Sequence, residues 1–142
     1  MATESKPPIT CHVLDTTLGK PAAGIPVVLT LHGSTGDSSA QAQGEVKFSG
    51  TTNSDGRVTS WTPPSTSPSP SSSSSLSTLF HSPGTQKYSL TFDTDEYFGQ
   101  RGIKTFFPEV EVKFVVRAEA KGEHYHVPVL LGPFGYTTYR GS

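Results

Sequence analysis

The sequence has almost no excess charge, a single cysteine and no long apolar run, and each of these absences excludes a class of protein. Its 11 basic and 12 acidic residues give a net charge of −1 with neutral histidines, so the composition does not indicate binding to nucleic acid or to an anionic membrane. No apolar segment approaches the roughly 20 residues that a transmembrane helix needs. The lone Cys11 excludes an internal disulfide framework and favours a reducing compartment.

Motifs of several common enzyme classes are also missing. The chain contains no phosphate-binding loop, no dinucleotide fingerprint and no Gly-x-Ser-x-Gly nucleophile elbow. Its first ten residues lack the basic and apolar regions of a secretory signal, and its last three are not a peroxisomal address of the Ser-Lys-Leu type. We therefore expect a cytoplasmic protein with neither nucleic acid nor membrane as a partner.

What the sequence does contain is a series of short segments that alternate between apolar and polar residues, as β-strands with one buried face do. The 142 residues are the length of one domain. We predict a single domain over residues 1–142, an all-β sandwich of two sheets with seven or eight strands. The predicted strands are residues 9–15, 25–32, 44–52, 57–61, 87–92, 109–117, 124–131 and 135–139.

Two segments depart from this alternation. Residues 93–96, Asp-Thr-Asp-Glu, are typical of a helix start, because a capping side chain precedes acidic residues that suit the positive end of the helix dipole. We expect one helix of about two turns there. Residues 62–83 are rich in Ser and Pro, so we predict a disordered insertion that plays no part in the chemistry. Its few apolar residues would at most touch the domain surface.

Two histidines are predicted to lie on the outer faces of their strands. Apolar residues flank both His12 and His126, and in a strand neighbouring side chains point to opposite faces. Leu14 and Leu130 share those outer faces, which indicates a surface covered by another subunit. Either histidine alone would more often be an ordinary surface residue.

An arginine and a metal-site alternative complete the candidates. Arg57 directly follows the Asn-Ser-Asp-Gly turn, and its planar guanidinium suits a carboxylate or a developing oxyanion. An arginine after a turn is, however, usually without function. His124 shares a face with His126, and with His12 the three imidazoles would be sufficient ligands for a metal. No carboxylate-rich or cysteine-rich motif accompanies them, so we predict no metal.

The last seven residues, Tyr-Thr-Thr-Tyr-Arg-Gly-Ser, alternate like a strand and then end on polar groups. A guanidinium, a flexible glycine, a hydroxyl and the α-carboxylate therefore lie within three residues. They could fold into a cleft, and the alternative is an edge strand with a frayed end.

Several stretches, in this order, resemble the transthyretin family. They are CHVLD with GKPA at 11–15 and 19–22, DGR at 55–57, FFPEV at 106–110, HYHVPVLL at 124–131 and YRGS at 139–142. The last is similar to the signature of the family's enzymatic branch, the 5-hydroxyisourate hydrolases. The resemblance covers nearly the whole chain outside the Ser/Pro segment and the loop at 33–43. The hormone-carrying transthyretins share the fold but lack the matching histidines, arginine and tetrapeptide.

The resemblance implies a homotetramer of sandwiches with a central channel, whose sites lie where dimers meet. It implies cofactor-free hydrolysis of the cyclic amide of 5-hydroxyisourate, in urate degradation. The catalytic residues that it implies are His12, Arg57 and His126, and the substrate-binding residues are Tyr139, Arg140, Gly141 and Ser142. The histidines would activate water and protonate the leaving nitrogen, in an order that the sequence leaves open.

Three other readings remain open at this point. A small-molecule carrier of the same fold would bind a ligand without turnover. A metal-dependent hydrolase would lose activity with a chelator, and a structural sandwich with a Ser/Pro stalk would be an inactive monomer. The peroxisome is the alternative to a cytoplasmic location, because other enzymes of urate degradation are found there.

Overall fold

The computed structural model describes residues 7–34, 45–63 and 75–142. Within these ranges the chain forms nine strands, two short α-helices and a 3₁₀ turn at Ala118–Ala120. The strands are β1 Ile9–Asp15, β2 Lys20–Pro21, β3 Pro26–Ser34, β4 Val46–Thr51, β5 Arg57–Val58, β6 Gln86–Phe92, β7 Val110–Val116, β8 Tyr125–Leu131 and β9 Tyr136–Thr138. The helices are α1 Leu76–Phe80 and α2 Thr94–Gly99. The predicted all-β class is confirmed, while β2 and α1 were not predicted.

The strands that the structure describes form two sheets. One has four strands in the order β4-β3-β6-β7, all antiparallel. The other has five, in the order β2-β1-β8-β9, with β5 also paired to β1. In this five-stranded sheet β1 and β8 run parallel. β2 and β5 pair antiparallel with two different parts of the opposite edge of β1. The first strand of the sandwich is therefore joined directly to its next-to-last strand.

The core lies between the sheets and is filled by alternate residues of each strand. Ile9, Cys11 and Val13 of β1 are completely buried and face the same core as Leu29 and Leu90 of the other sheet. The prediction that Cys11 is a core residue is confirmed. Burial raises the pKa of the Cys11 thiol to about 12, so this thiol stays protonated near neutral pH and is not a candidate nucleophile.

The predicted helix after Asp93 is confirmed as α2. The Asp93 side chain caps it by accepting a hydrogen bond from the backbone N–H of Glu96 at 3.1 Å. Tyr97 of α2 donates its hydroxyl to the buried carboxylate of Asp15 at 2.7 Å, which ties the helix to the end of β1. Neither of the helices in the described part of the chain is long and apolar enough to cross a membrane.

The end of the Ser/Pro segment packs into the core, contrary to the prediction for residues 62–83. In α1, Leu76 and Phe80 are buried one turn apart, and the Phe80 ring lies 5.9 Å from that of Tyr125. Lys121 donates to two carbonyls at the end of this helix, at 2.7 and 2.8 Å. Because Leu76 and Phe80 belong to the core cluster, the predicted disorder is wrong for residues 75–83. Residues 64–74 lie outside the described residues.

Candidate functional site

His12, Arg57 and His126 meet on the outer face of the five-stranded sheet. His12 on β1 lies directly opposite Arg57 on β5, and Thr10 on β1 lies opposite His126 on β8. The ring centroids of the two histidines are 6.2 Å apart. Residues that are distant in sequence are therefore brought together because β1 has β5 on one edge and β8 on the other.

The turn before β5 fixes where Arg57 begins its strand. The side-chain oxygen of Asn53 accepts hydrogen bonds from the backbone N–H groups of Asp55 and Arg57, at 2.8 and 3.1 Å. Gly56 has φ of 75°, and a Cβ at this position would lie 2.5 Å from the carbonyl oxygen of Val13. Only glycine fits there, so the Asp-Gly turn is what presses Arg57 against β1, opposite His12.

The surroundings of His12 favour its neutral form. Partial burial lowers the pKa of His12, and the positive charge of Arg57 lowers it further, while the carboxylate of Asp55 acts in the opposite direction. A neutral imidazole has a lone pair with which to accept a proton. His12 is therefore placed to act as a base near neutral pH.

His126 has a different neighbour, the hydroxyl of Thr10. Thr10 Oγ1 lies 2.8 Å from Nδ1 of His126 and 3.0 Å from Nε2 of His124. The hydroxyl thus lies between two imidazoles whose centroids are 6.4 Å apart. Thr10 was not among the predicted site residues, although it lies two residues before His12 and therefore on the same face of β1.

The C-terminal tail reaches the site through its glycine. The backbone N–H of Gly141 donates to the carbonyl oxygen of His126 at 2.8 Å, in an isolated β-bridge. A Cβ on Gly141 would lie 2.9 Å from Cδ2 of His126 and 2.9 Å from Cγ of Pro128. The tail therefore comes this close to His126 only because residue 141 has no side chain.

The other tail residues point to different places. The guanidinium of Arg140 donates to the Glu123 carboxylate at 2.7 Å and lies 4.5 Å from the centroid of the Tyr125 ring. Arg140 is thus held by residues at the start of β8. Tyr139 is 60% exposed, and Ser142 is also exposed. Of the four predicted tail residues, Gly141 is the one that lies against a site histidine.

A groove of about 350 Å³ adjoins the histidine cluster. It lies between β7 and the tail, and its lining includes His126, Tyr139 and Arg140 but neither His12 nor Arg57. The catalytic candidates and the groove therefore share His126. Next to them on the outer face, Leu130 is 40% exposed, so this face presents apolar as well as polar groups.

His12, His124 and His126 on this face are the possible metal ligands that the sequence offers. In the part of the chain that the structure describes, no three side chains of His, Cys, Asp or Glu are grouped so that they could hold a metal ion. Two of these rings, His124 and His126, instead lie within hydrogen-bonding distance of the Thr10 hydroxyl.

Comparison with known proteins agrees with the resemblance seen in the sequence. Residues 9–141 match the model of a family described as the HIUase/Transthyretin family. The chain is 42% identical over 142 residues to the 5-hydroxyisourate hydrolase of Mus musculus, with 100% of both chains covered. It is 38% identical over 136 residues to the probable 5-hydroxyisourate hydrolase of Schizosaccharomyces pombe, covering 96% of this chain and 92% of that one.

Solved structures of both branches of the family resemble this fold. The Klebsiella pneumoniae 5-hydroxyisourate hydrolase matches with a TM-score of 0.60 and 28% identity, over 94% of this chain and 98% of that one. Transthyretin from Sparus aurata matches with a TM-score of 0.68 and 25% identity, over 96% and 97%. Because the two TM-scores are similar, the fold alone does not show whether the chain is a hydrolase or a carrier. The residues of the site have to distinguish these two functions.

Proposed function

Since the chain belongs to the HIUase/Transthyretin family, we propose that it is a 5-hydroxyisourate hydrolase of urate degradation, which opens a cyclic amide with water. The observation that carries this proposal is the meeting of His12, Arg57 and His126 on one sheet face. Two proton-transferring groups next to a fixed cation are what amide hydrolysis needs, whereas a carrier gains nothing from them. The identity to hydrolases over the full length favours the enzyme over the carrier alternative.

We propose His12 as the base that takes a proton from the attacking water. The support is its position opposite Arg57 and the lowered pKa of its imidazole. A group that is neutral near pH 7 can accept this proton as the oxygen of water bonds to the amide carbonyl carbon.

Arg57 then stabilises the negative charge that develops on the carbonyl oxygen. Its guanidinium is a permanent, planar cation, and a fixed positive charge near a developing oxyanion is among the largest contributions that an active site makes. The proposal is supported by the turn and by Gly56, which hold the start of β5 against β1.

His126 is the proposed acid that protonates the leaving nitrogen when the carbon–nitrogen bond breaks. The ring lies 6.2 Å from that of His12, so an amide bound between the two rings would have the base on one side and the acid on the other. This division of roles needs neither a metal nor another cofactor.

The tail is proposed to close the site and to contact the substrate. Gly141 allows the main chain to approach His126, and the side chains of Tyr139, Arg140 and Ser142 are exposed. Arg140 is predicted from the sequence as a substrate contact, and we propose in addition that its contacts with Glu123 and Tyr125 anchor the tail.

The homotetramer with a central channel is also a proposal. It is supported by the apolar residues on the same face as the histidines, since Leu14 is partly exposed and Leu130 is 40% exposed. A partner subunit over this face would bury these apolar side chains. We place the enzyme in the cytoplasm, with the peroxisome as the alternative, and fractionation of cells would distinguish the two.

An ultraviolet assay tests the function. Urate oxidase generates 5-hydroxyisourate in situ, the protein is added in the presence of a chelator, and the decay of the absorbance is followed. We expect decay well above the spontaneous rate, and loss of that acceleration when the chain is truncated after Thr138. Binding of the compound without faster decay would refute the enzyme and leave the carrier. Decay that the chelator abolishes would refute the metal-free mechanism.

A further inference from the structure

We propose that His124 and Thr10 form a proton relay that supplies His126 from solvent. This inference rests on the proposed function, because it assigns the relay to the histidine that protonates the leaving nitrogen. Neither residue belongs to the cluster of His12, Arg57 and His126, and we regard both as positioning residues. The observation that points to them is the continuous chain of contacts from His124 through the Thr10 hydroxyl to His126.

The parallel pairing of β1 and β8 produces this chain. Thr10 is opposite His126 in the register, and His124 precedes His126 by two residues, on the same strand face. The β-branched threonine side chain therefore lies between the two rings, with 2.8 Å to one and 3.0 Å to the other. Both distances are those of good hydrogen bonds.

The chemistry of a hydroxyl makes this arrangement directional. Thr10 has one hydrogen to donate and lone pairs with which to accept, so it donates to one histidine and accepts from the other. When Nε2 of His124 carries a proton, it donates to Thr10, and Thr10 donates to Nδ1 of His126. The proton of His126 is then on Nε2, the nitrogen that the reaction has to use.

The relay balances as a transfer of one proton. His126 gives its Nε2 proton to the leaving nitrogen and at the same time receives the Thr10 hydroxyl proton at Nδ1. Thr10 in turn receives the Nε2 proton of His124. His126 thus never becomes an anionic imidazolate. A protonated His124 becomes neutral and takes a new proton from water or buffer. His126, now protonated at Nδ1, returns to the Nε2-protonated tautomer by exchange with water after the product leaves, and His12 releases to solvent the proton that it took from the attacking water.

His124 is suited to exchange with solvent because it is exposed, whereas His126 is half-buried. The charged and titratable groups near His126 include His124 on its own strand, His12 on β1, and Arg57 beyond His12 on β5. The α-carboxylate of Ser142 follows Gly141, which lies against the His126 ring. Arg140, next to Gly141 in the tail, is paired with Glu123. Among these groups, His124 is the one that Thr10 connects to His126 through hydrogen bonds.

Steady-state kinetics of five variants test the relay. We expect Thr10→Val and His124→Ala each to lower kcat about tenfold or more and to leave KM within about twofold, because binding is intact and proton delivery is not. The double variant should be no slower than the slower single variant, since a chain broken at one link is already broken. Thr10→Ser keeps the hydroxyl and should retain most of kcat.

Thr91→Val, on the outer face of the other sheet, is the matched control, and its kcat and KM should equal those of the wild-type protein.

Added imidazole buffer gives a second readout. It should restore kcat of His124→Ala with rising concentration, because free imidazole can donate to Thr10. It should not restore Thr10→Val, where the missing link lies inside the relay. Losses that add in the double variant, or unchanged kcat in both single variants, would overturn the relay. If the wild-type protein fails to accelerate the decay of 5-hydroxyisourate, the proposed function fails instead.

A spectroscopic measurement does not depend on activity or on the variants folding. ¹⁵N shifts and long-range couplings of His126 in the wild-type protein report which ring nitrogen carries the proton. We expect, above the pKa of the ring, one dominant tautomer protonated at Nε2. A Nδ1-protonated ring, or an equal mixture of both tautomers, would contradict the direction of supply.

Discussion

The outer faces of the two sheets both present histidines, and they differ in what surrounds these rings. On the four-stranded sheet, His32 lies 3.0 Å from the Glu45 carboxylate through Nδ1 and 2.8 Å from the Ser89 hydroxyl through Nε2. On the five-stranded sheet, His12 faces Arg57, and His126 lies against the glycine of the tail. Both nitrogens of His32 thus have polar neighbours in or next to its own sheet, while the other face combines imidazoles with a cation and the C-terminal tail.

From this difference we expect that a histidine on a strand face is not by itself a sign of chemistry. His32, like His12, is partly buried and alternates with core residues. What sets the second face apart is an arginine fixed by a turn and a main-chain approach that needs glycine. The predictions below test whether those neighbours, and not the histidines alone, make the site.

The largest effect is expected from removing the histidines of the five-stranded sheet. His12→Ala and His126→Ala should each lower kcat by about 10²- to 10⁴-fold, the range for loss of a general acid or base. His32→Ala should leave kcat unchanged in the same assay. Near-normal turnover in both site variants, with folding verified by circular dichroism, would show that the assignment is wrong.

Arg57→Gln should have the next largest effect, about 10²-fold in kcat, through the lost stabilisation of the oxyanion. It should also raise the pKa of His12, because the nearby cation disfavours the imidazolium. Since His12 must be neutral to act as a base, the acid limb of the kcat/KM profile should move to higher pH.

Asp55→Asn should move the acid limb of the kcat/KM profile in the opposite direction to Arg57→Gln. The Asp55 carboxylate acts to raise the pKa of His12, so its neutralisation should lower this pKa and move the acid limb to lower pH. Proton NMR titration of the His12 ring measures both shifts directly. Shifts in the same direction in the two variants would refute this electrostatic account.

Gly141→Ala should lower kcat about tenfold or more, because an added methyl group would displace the tail from His126 and a small misplacement is costly. Gly99→Ala is its control, since a Cβ at Gly99 meets nothing within 4 Å. The two variants should have similar melting temperatures. Unchanged kinetics in Gly141→Ala would mean that the close approach of the tail is not needed.

The smallest effect is expected at the tail anchor. Arg140→Ala and Glu123→Gln should each reduce kcat/KM only a few-fold, because exposed ion pairs contribute little. The double variant should be no worse than either single one if Arg140 acts through Glu123. A large rise in KM for Arg140→Ala with none for Glu123→Gln would instead identify Arg140 as a substrate contact.

Much of this comparison could be predicted from alternation alone. The two-residue period of a β-strand places His12 and His126 on the face that points away from the core. The Asp-Gly pair predicts the turn before Arg57. These are local properties, and the structure agrees with each of them.

Partners across the fold could not be predicted in the same way. Which strand lies beside β1, and in which register, is decided by packing of the whole core, so Thr10 was missed as the neighbour of His126. The partner of Arg140 was missed for the same reason. The docking of α1 was missed because two buried residues within a Ser/Pro segment give too short a pattern to recognise.

The parallel pairing of β1 with β8 also has a consequence for the order of folding. Thr10 and His126 are 116 positions apart in the chain, so one edge of β1 stays without its strand partner until β8 has been synthesised. Contacts of such long separation form slowly, and an unpaired strand edge is prone to aggregation in the meantime. Chains interrupted before residue 125 should therefore be insoluble, and during refolding the hydrolase activity should return no earlier than the complete five-stranded sheet.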